Sequence, residues 1–295
     1  MLLNEDFLTN YDYYWLKYTL ERGSRESADK VLVGHSLPRF GVNDREIPGL
    51  INLAFISQDY YYSARIIERA MEMLPHLTDV VIGTSYYAPF MDLSKAKNEG
   101  ERSRITNVYG RYFNDYHNIN ISETVSPSPE ESDSRRIYNS ICDDYFCDGR
   151  DRVILAESDW GNDLTEEERF SMAKKRTSYH NSLSKHTESY EENGIILNKL
   201  ALQCKKSNIT LHMIVFPANR YYRQGIDPSL KEMYEKQIAS IPEQFRPKTA
   251  DLFCEEGFDP VADYVDTDHL NDEGAAKMSG LLNRIITVDS TGNVL

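Results

Sequence analysis

The chain has 295 residues, 40% of them hydrophobic and 27% charged, with a formal charge of −14 at pH 7. That length can bury a substantial core, and the acidity argues against a nucleic-acid partner, which would need a basic footprint. No run of about 18 apolar residues is present to cross a membrane, and the opening residues lack the basic-then-apolar layout of a secretory signal, so the expected location is cytoplasmic.

Residues 1–29 form a helical extension, with a Tyr-rich amphipathic stretch at 10–20 that closes at Arg22-Gly23. The apolar, β-branched run 30–33 predicts a buried strand, stopped by Gly34-His35-Ser36. A serine at the carboxyl end of a parallel strand faces the crevice where open α/β sheets bind ligands, so Ser36 is the candidate nucleophile. The same tripeptide is also compatible with a plain polar turn.

Pro38, Gly41, Pro48 and Gly49 mark a loop before a second strand at 50–56, and Ser57-Gln58-Asp59 caps a helix running to about Leu74. A third strand at 79–83 again ends in glycine and leads into Thr84-Ser85-Tyr86. Strand, helix, strand is the order of a parallel sheet with crossover helices.

From 92 to 162 the periodicity is lost, which predicts an insertion or lid. Its Arg104, Tyr109, Arg111, Tyr112 and Tyr116 suit either an anionic or sugar substrate or a solvated surface. Thr165 and Glu168 make a capping box, opening a helix that extends towards Lys206 with a break near Asn193-Gly194. A fourth strand follows at 210–216, placing the polar groups of Asn219 and Arg220 at the sheet's carboxyl edge. Residues 228–240 read as helix, 248–253 as a fifth strand and 272–286 as the closing helix. The four cysteines have no C-x-x-C spacing; they read as reduced structural thiols, with a Cys142–Cys147 disulfide as the alternative.

Asp266 and His269 stand three residues apart in a turn that enters the last helix. That spacing lets the carboxylate take the Nδ1 proton of the imidazole and leave Nε2 facing the crevice, the base a serine hydroxyl needs. The other reading is a helix-capping histidine among acids that favour the helix dipole. A calcium loop starting at Asp266 fails, with Asn271 where glycine is required and Lys277 in place of the bidentate glutamate, so no metal is expected.

Gly34-His35-Ser36, the Asn52-Leu53-Ala54-Phe55 run, and Asp266-x-x-His269 followed by Leu270-Asn271 and Gly274-Ala275 resemble the SGNH/GDSL hydrolase superfamily. The likeness is to its divergent branch of DltD-like and surface-polysaccharide-locus proteins, and it covers about 30–286. It implies a single α/β domain: a three-layer α/β/α arrangement around a mostly parallel, flavodoxin-like sheet of about five strands.

Carried over, Ser36 is nucleophile, His269 general base and acid, and Asp266 its orienting partner. The family's third-block asparagine has no counterpart in Gly83-Thr84-Ser85-Tyr86. Ser85, Ser57, Asn52 and Asn219, or Asn107 and Asn114 of the insertion, are the candidates for oxyanion or substrate contacts. The activity implied is cofactor-free ester hydrolysis or acyl transfer on a small molecule or glycan, such as a surface-polysaccharide precursor. The alternative is a catalytically degenerate scaffold of the same fold.

Overall fold

The computed structural model describes residues 11–119, 160 and 164–291. Strands β1 (Lys30–Gly34), β2 (Leu50–Asn52), β3 (Asp79–Thr84), β4 (Thr210–Val215) and β5 (Lys248–Asp251) form an all-parallel sheet in the order β2-β1-β3-β4-β5. The main helices are α1 (Tyr11–Arg25), α2 (Ser36–Gly41), α3 (Tyr60–Met73), α4 (Glu166–Ser182), α5 (Thr187–Lys206), α6 (Pro228–Ala239) and α7 (Asp272–Thr291).

Central strands of a parallel sheet are covered on both faces, so they are apolar throughout. Val31, Leu32 and Val33 of β1, like Val80, Val81 and Ile82 of β3, are wholly buried. Alternation divides them. Val31, Val33, Val80 and Ile82 pack in one core with Leu16 and Leu20 of α1, Ile66 and Ile67 of α3, and Leu197 and Leu200 of α5. Leu32, Val81 and Ile214 enter a second core with Met278, Leu282 and Ile286 of α7. The result is the expected three-layer α/β/α fold.

From β1 the chain goes outward to β2 and then returns to β3 on β1's other side. At that reversal the connections leave in opposite directions, opening a crevice beyond the carboxyl ends of β1 and β3.

Several boundaries differ from expectation. The helix after the capping box breaks at the 3₁₀ turn Leu183–Lys185, not near Asn193-Gly194. Gly194 sits inside α5, and the Asn193 amide is occupied with the carbonyls of Pro89 and Met91 at 3.0 and 2.8 Å. Within the predicted insertion, Glu99–Arg104 is α-helical, Ile105–Gly110 a π-helical turn and Arg111–Phe113 α-helical again. Changes of pitch shift the phase of the buried face, which erases any single period.

The aromatics there pack on the scaffold. Tyr109 is buried and stacks on Tyr62, with ring centroids 3.9 Å apart, while the Arg111 guanidinium lies over the Tyr13 ring. Residues 120–159, including Cys142 and Cys147, lie outside the described residues. Cys204 is a buried free thiol and Cys254 an exposed one.

Candidate active site

Ser36 is delivered by a glycine. Gly34 ends β1 at φ +133°, and a Cβ there would stand 2.1 Å from the Gly83 carbonyl oxygen of the neighbouring strand. The chain then turns into α2, with His35 as N-cap: its Nδ1 accepts the Leu37 N–H at 3.3 Å. Ser36 is thus the first helical residue, and its own N–H has no acceptor within the helix. The Asn52 amide fixes this element by donating to the carbonyls of Pro38 and Val42 at 3.0 and 3.1 Å, while its oxygen takes the Ala54 N–H. Those bonds overturn Asn52 as a substrate contact: it is a buried brace.

At the other end of the chain the Asp-x-x-His turn closes on itself. Asp266 Oδ1 accepts the N–H groups of Asp268 and His269 at 2.9 and 2.7 Å, and its Oδ2 lies 2.8 Å from His269 Nδ1. An antiparallel bridge between Tyr264 and Leu270 ties the turn, and Asn271 Oδ1 takes the Gly274 N–H at the start of α7. His269 Nε2 stands 2.8 Å from Ser36 Oγ. Ser36, His269 and Asp266, from opposite ends of the sequence, form one chain of hydrogen bonds at the crevice.

Electrostatics set the protonation states. Burial works against the Asp266 charge, but the His269 charge and hydrogen bond, with two backbone N–H groups, hold its carboxyl at about 2. Because that value lies below the unfolded one, this contribution to stability is present above the ordinary aspartate range and is lost as pH falls towards about 2. For His269, burial favours the neutral form, yet the carboxylates of Asp268 and Asp266 outweigh it and raise the pKa.

Asp268 is the unforeseen member. It is buried, receives Arg176 Nε at 3.1 Å from each oxygen and the Thr267 hydroxyl at 2.9 Å, and approaches His269 Nδ1 to 4.0 Å. Asp268→Asn removes the largest influence that raises the His269 pKa. The pH at which a serine-directed probe begins to react is therefore expected to fall in Asp268→Asn; an unmoved acid limb in labelling rate against pH counts against this coupling.

His35 was legible only as part of a turn. Burial, reinforced by the His269 charge, pushes its pKa down to about 3, so it is neutral. Since Nδ1 accepts from Leu37, the ring proton is on Nε2 and is donated to Ser85 Oγ at 3.1 Å. Ser85 keeps its own hydroxyl proton, with the Tyr87 hydroxyl as a neighbouring acceptor. Together with Tyr87, Phe216, Tyr222 and Asp268, Ser85 lines a narrow pocket. His180 stacks on Tyr87 at 3.8 Å and pairs through Nδ1 with the Tyr222 hydroxyl, fixing that wall.

The remaining expectations separate. Ser57 sits partly exposed at φ +59° in the turn after β2, outside the hydrogen-bond chain just described. Asn219 is wholly buried: it donates to the Pro260 carbonyl at 2.5 Å and caps the turn Arg220–Arg223. It is scaffold, not a substrate contact. Asn107 and Asn114 are exposed on helical turns that pack against α1.

No family model matches the chain, and no curated protein matches it. Among solved structures, a Bacteroides fragilis chain described as a "putative acylhydrolase" shares 13% identity over 92% of this chain and 96% of its own, with a TM-score of 0.38. That is a loose likeness, too distant to assign a family.

Proposed function

We propose that this chain is a serine-dependent acyl hydrolase or acyltransferase of the SGNH type, with Ser36 as nucleophile, His269 as general base and acid, and Asp266 as its orienting partner. The observation that carries the reading is the pair of 2.8 Å contacts joining Ser36 Oγ to His269 Nε2 and His269 Nδ1 to Asp266. Ser36 Oγ attacks the acyl carbonyl as Nε2 takes its proton; the tetrahedral intermediate expels an alcohol that receives that proton; water or a sugar hydroxyl then attacks the acyl-enzyme by the reverse route.

The developing oxyanion is met by the Ser36 N–H at the helix N-terminus and by the Ser85 hydroxyl, which stands where the family uses asparagine. An O-acylated carbohydrate is the substrate class in view. Ser85→Ala is expected to lower turnover by about 100-fold or more while leaving Ser36 reactive enough to label slowly.

The missing third-block asparagine favours the other reading, a scaffold with a degenerate site. Intact-mass spectrometry after exposure to a fluorophosphonate separates the two. The enzyme reading expects one adduct, absent in Ser36→Ala; a folded wild type that takes up no adduct favours the scaffold.

A further inference from the structure

A second cluster of ionisable groups lies apart from Ser36, where the turn after β2, the loop after β3 and the end of the short helical turns meet. Asp59 caps α3, its Oδ1 taking the Tyr62 N–H at 2.9 Å and its Oδ2 the Leu93 N–H at 2.8 Å. Asp92 Oδ1 accepts the Ser94 N–H and hydroxyl at 2.9 and 2.5 Å. Its Oδ2 is buried without a hydrogen-bond donor among the described residues, with the Lys95 ammonium 3.4 Å away but outside hydrogen-bond geometry.

His117 stacks on Tyr61 with centroids 3.7 Å apart, and its side chain is 6% exposed. Its Nε2 lies 3.1 Å from Glu192 Oε1, whereas its Nδ1 is buried, has no hydrogen-bond partner among the described residues and stands 3.8 Å from Asp92 Oδ1.

An ionised Glu192 can only accept, so Nε2 carries a proton, and in the neutral ring Nδ1 presents a lone pair. Asn118 Nδ2 lies 3.0 Å from the same Nε2, so this tautomer calls for the Asn118 amide to be turned over, oxygen towards the ring. Ligating atoms of Asp59, Asp92 and His117 all lie within 4.8 Å of one another. Acceptors facing one another away from water are costly unless cations neutralise them, and of the three the Lys95 ammonium reaches only Asp92.

We propose that Asp59, Asp92 and His117 hold a divalent transition-metal ion of the Zn²⁺ type, with Glu192 as the carboxylate behind the histidine. An imidazole between two carboxylates suits such an ion better than Ca²⁺ or Mg²⁺, which favour oxygen donors throughout. The carboxylate–histidine pair is the arrangement that fixes a ligating ring's tautomer. The three ligands come from three separate turns, Asp59 before β3 and Asp92 and His117 after it, so the ion clamps residues 92–118 onto the carboxyl edge of the sheet. Its role is structural and independent of the Ser36 chemistry.

The test uses the full chain, stripped with a chelator, gel-filtered and titrated with ZnCl₂, with CoCl₂ as the visible-absorbing substitute. Expected are one tight equivalent per chain, a raised Tm and slower proteolysis within 92–118. His117→Ala and Asp92→Asn should lose that equivalent, Ser36→Ala should keep it, and Glu192→Gln should weaken it by roughly 10- to 100-fold. A wild type without a tight equivalent overturns the proposal, as does one whose equivalent survives in folded His117→Ala or disappears in Asp266→Asn. Should His117→Ala fail to fold, Glu192→Gln decides: unchanged affinity there is equally fatal.

Discussion

Ser36→Ala is expected to fold as the wild type does and to lose turnover by about 10⁴-fold or more, together with all fluorophosphonate labelling. The substitution deletes one partly buried hydroxyl and its hydrogen bond to His269, worth about 1 kcal/mol in stability, so Tm should barely move. His269→Ala should match it, because a serine without its base is no nucleophile, and the double variant should be no worse than either.

Asp266→Asn is the informative third member. The asparagine can still receive the two backbone N–H groups that shape the turn, but it supplies no charge for the imidazolium. Its loss should be smaller than that of Ser36→Ala by roughly one to two orders of magnitude. Turnover measured with a short-chain activated ester gives the ranking; residual labelling at an unaltered rate in Ser36→Ala would sink the assignment.

What could be read from the sequence was what is encoded locally. Val31-Leu32-Val33 and Val80-Val81-Ile82 are apolar on both faces because helices cover both, and they identify their strands without context. Asp266 and His269 were legible because one turn holds both. Ser36 was legible because a glycine ends its strand.

Arg176 gave no signal: it is one basic residue among several on α4, and only the fold brings it against Asp268. Asn52 and Asn219 misled for the opposite reason. An amide at the end of a strand looks like a donor awaiting a substrate, but once buried it is held by backbone carbonyls that would otherwise lack partners. The His35 tautomer depends on the Leu37 N–H and on Ser85, and the second of these contacts exists only after β1 and β3 pair.

Gly34→Ala carries the largest expected effect on stability, and the reason lies in β1's position. A φ of +133° belongs to a region that side-chain-bearing residues scarcely enter, and the added methyl would stand 2.1 Å from the Gly83 carbonyl oxygen and 2.9 Å from Pro38 Cγ. Neither neighbour can yield cheaply: β1 is paired with β2 on one side and β3 on the other, and Pro38 lies in the helix that carries Ser36. Chemical denaturation should report a loss of about 3 kcal/mol or more. Whatever Gly34→Ala protein does fold should also be slow, since a shift of about 1 Å between Ser36 and His269 is worth roughly 100-fold in rate.

Gly194→Ala is the matched control. That glycine lies within α5, where a Cβ would meet nothing nearer than Gln237 Nε2 at 3.5 Å, so alanine should stabilise by about 0.5–1 kcal/mol through helix propensity alone. Opposite signs for the same chemical change would tie the first loss to the turn that presents Ser36. Two variants within about 0.5 kcal/mol of wild type would mean that β1 ends without the close approach to Gly83, and the site's geometry would have to be redrawn from that strand outward.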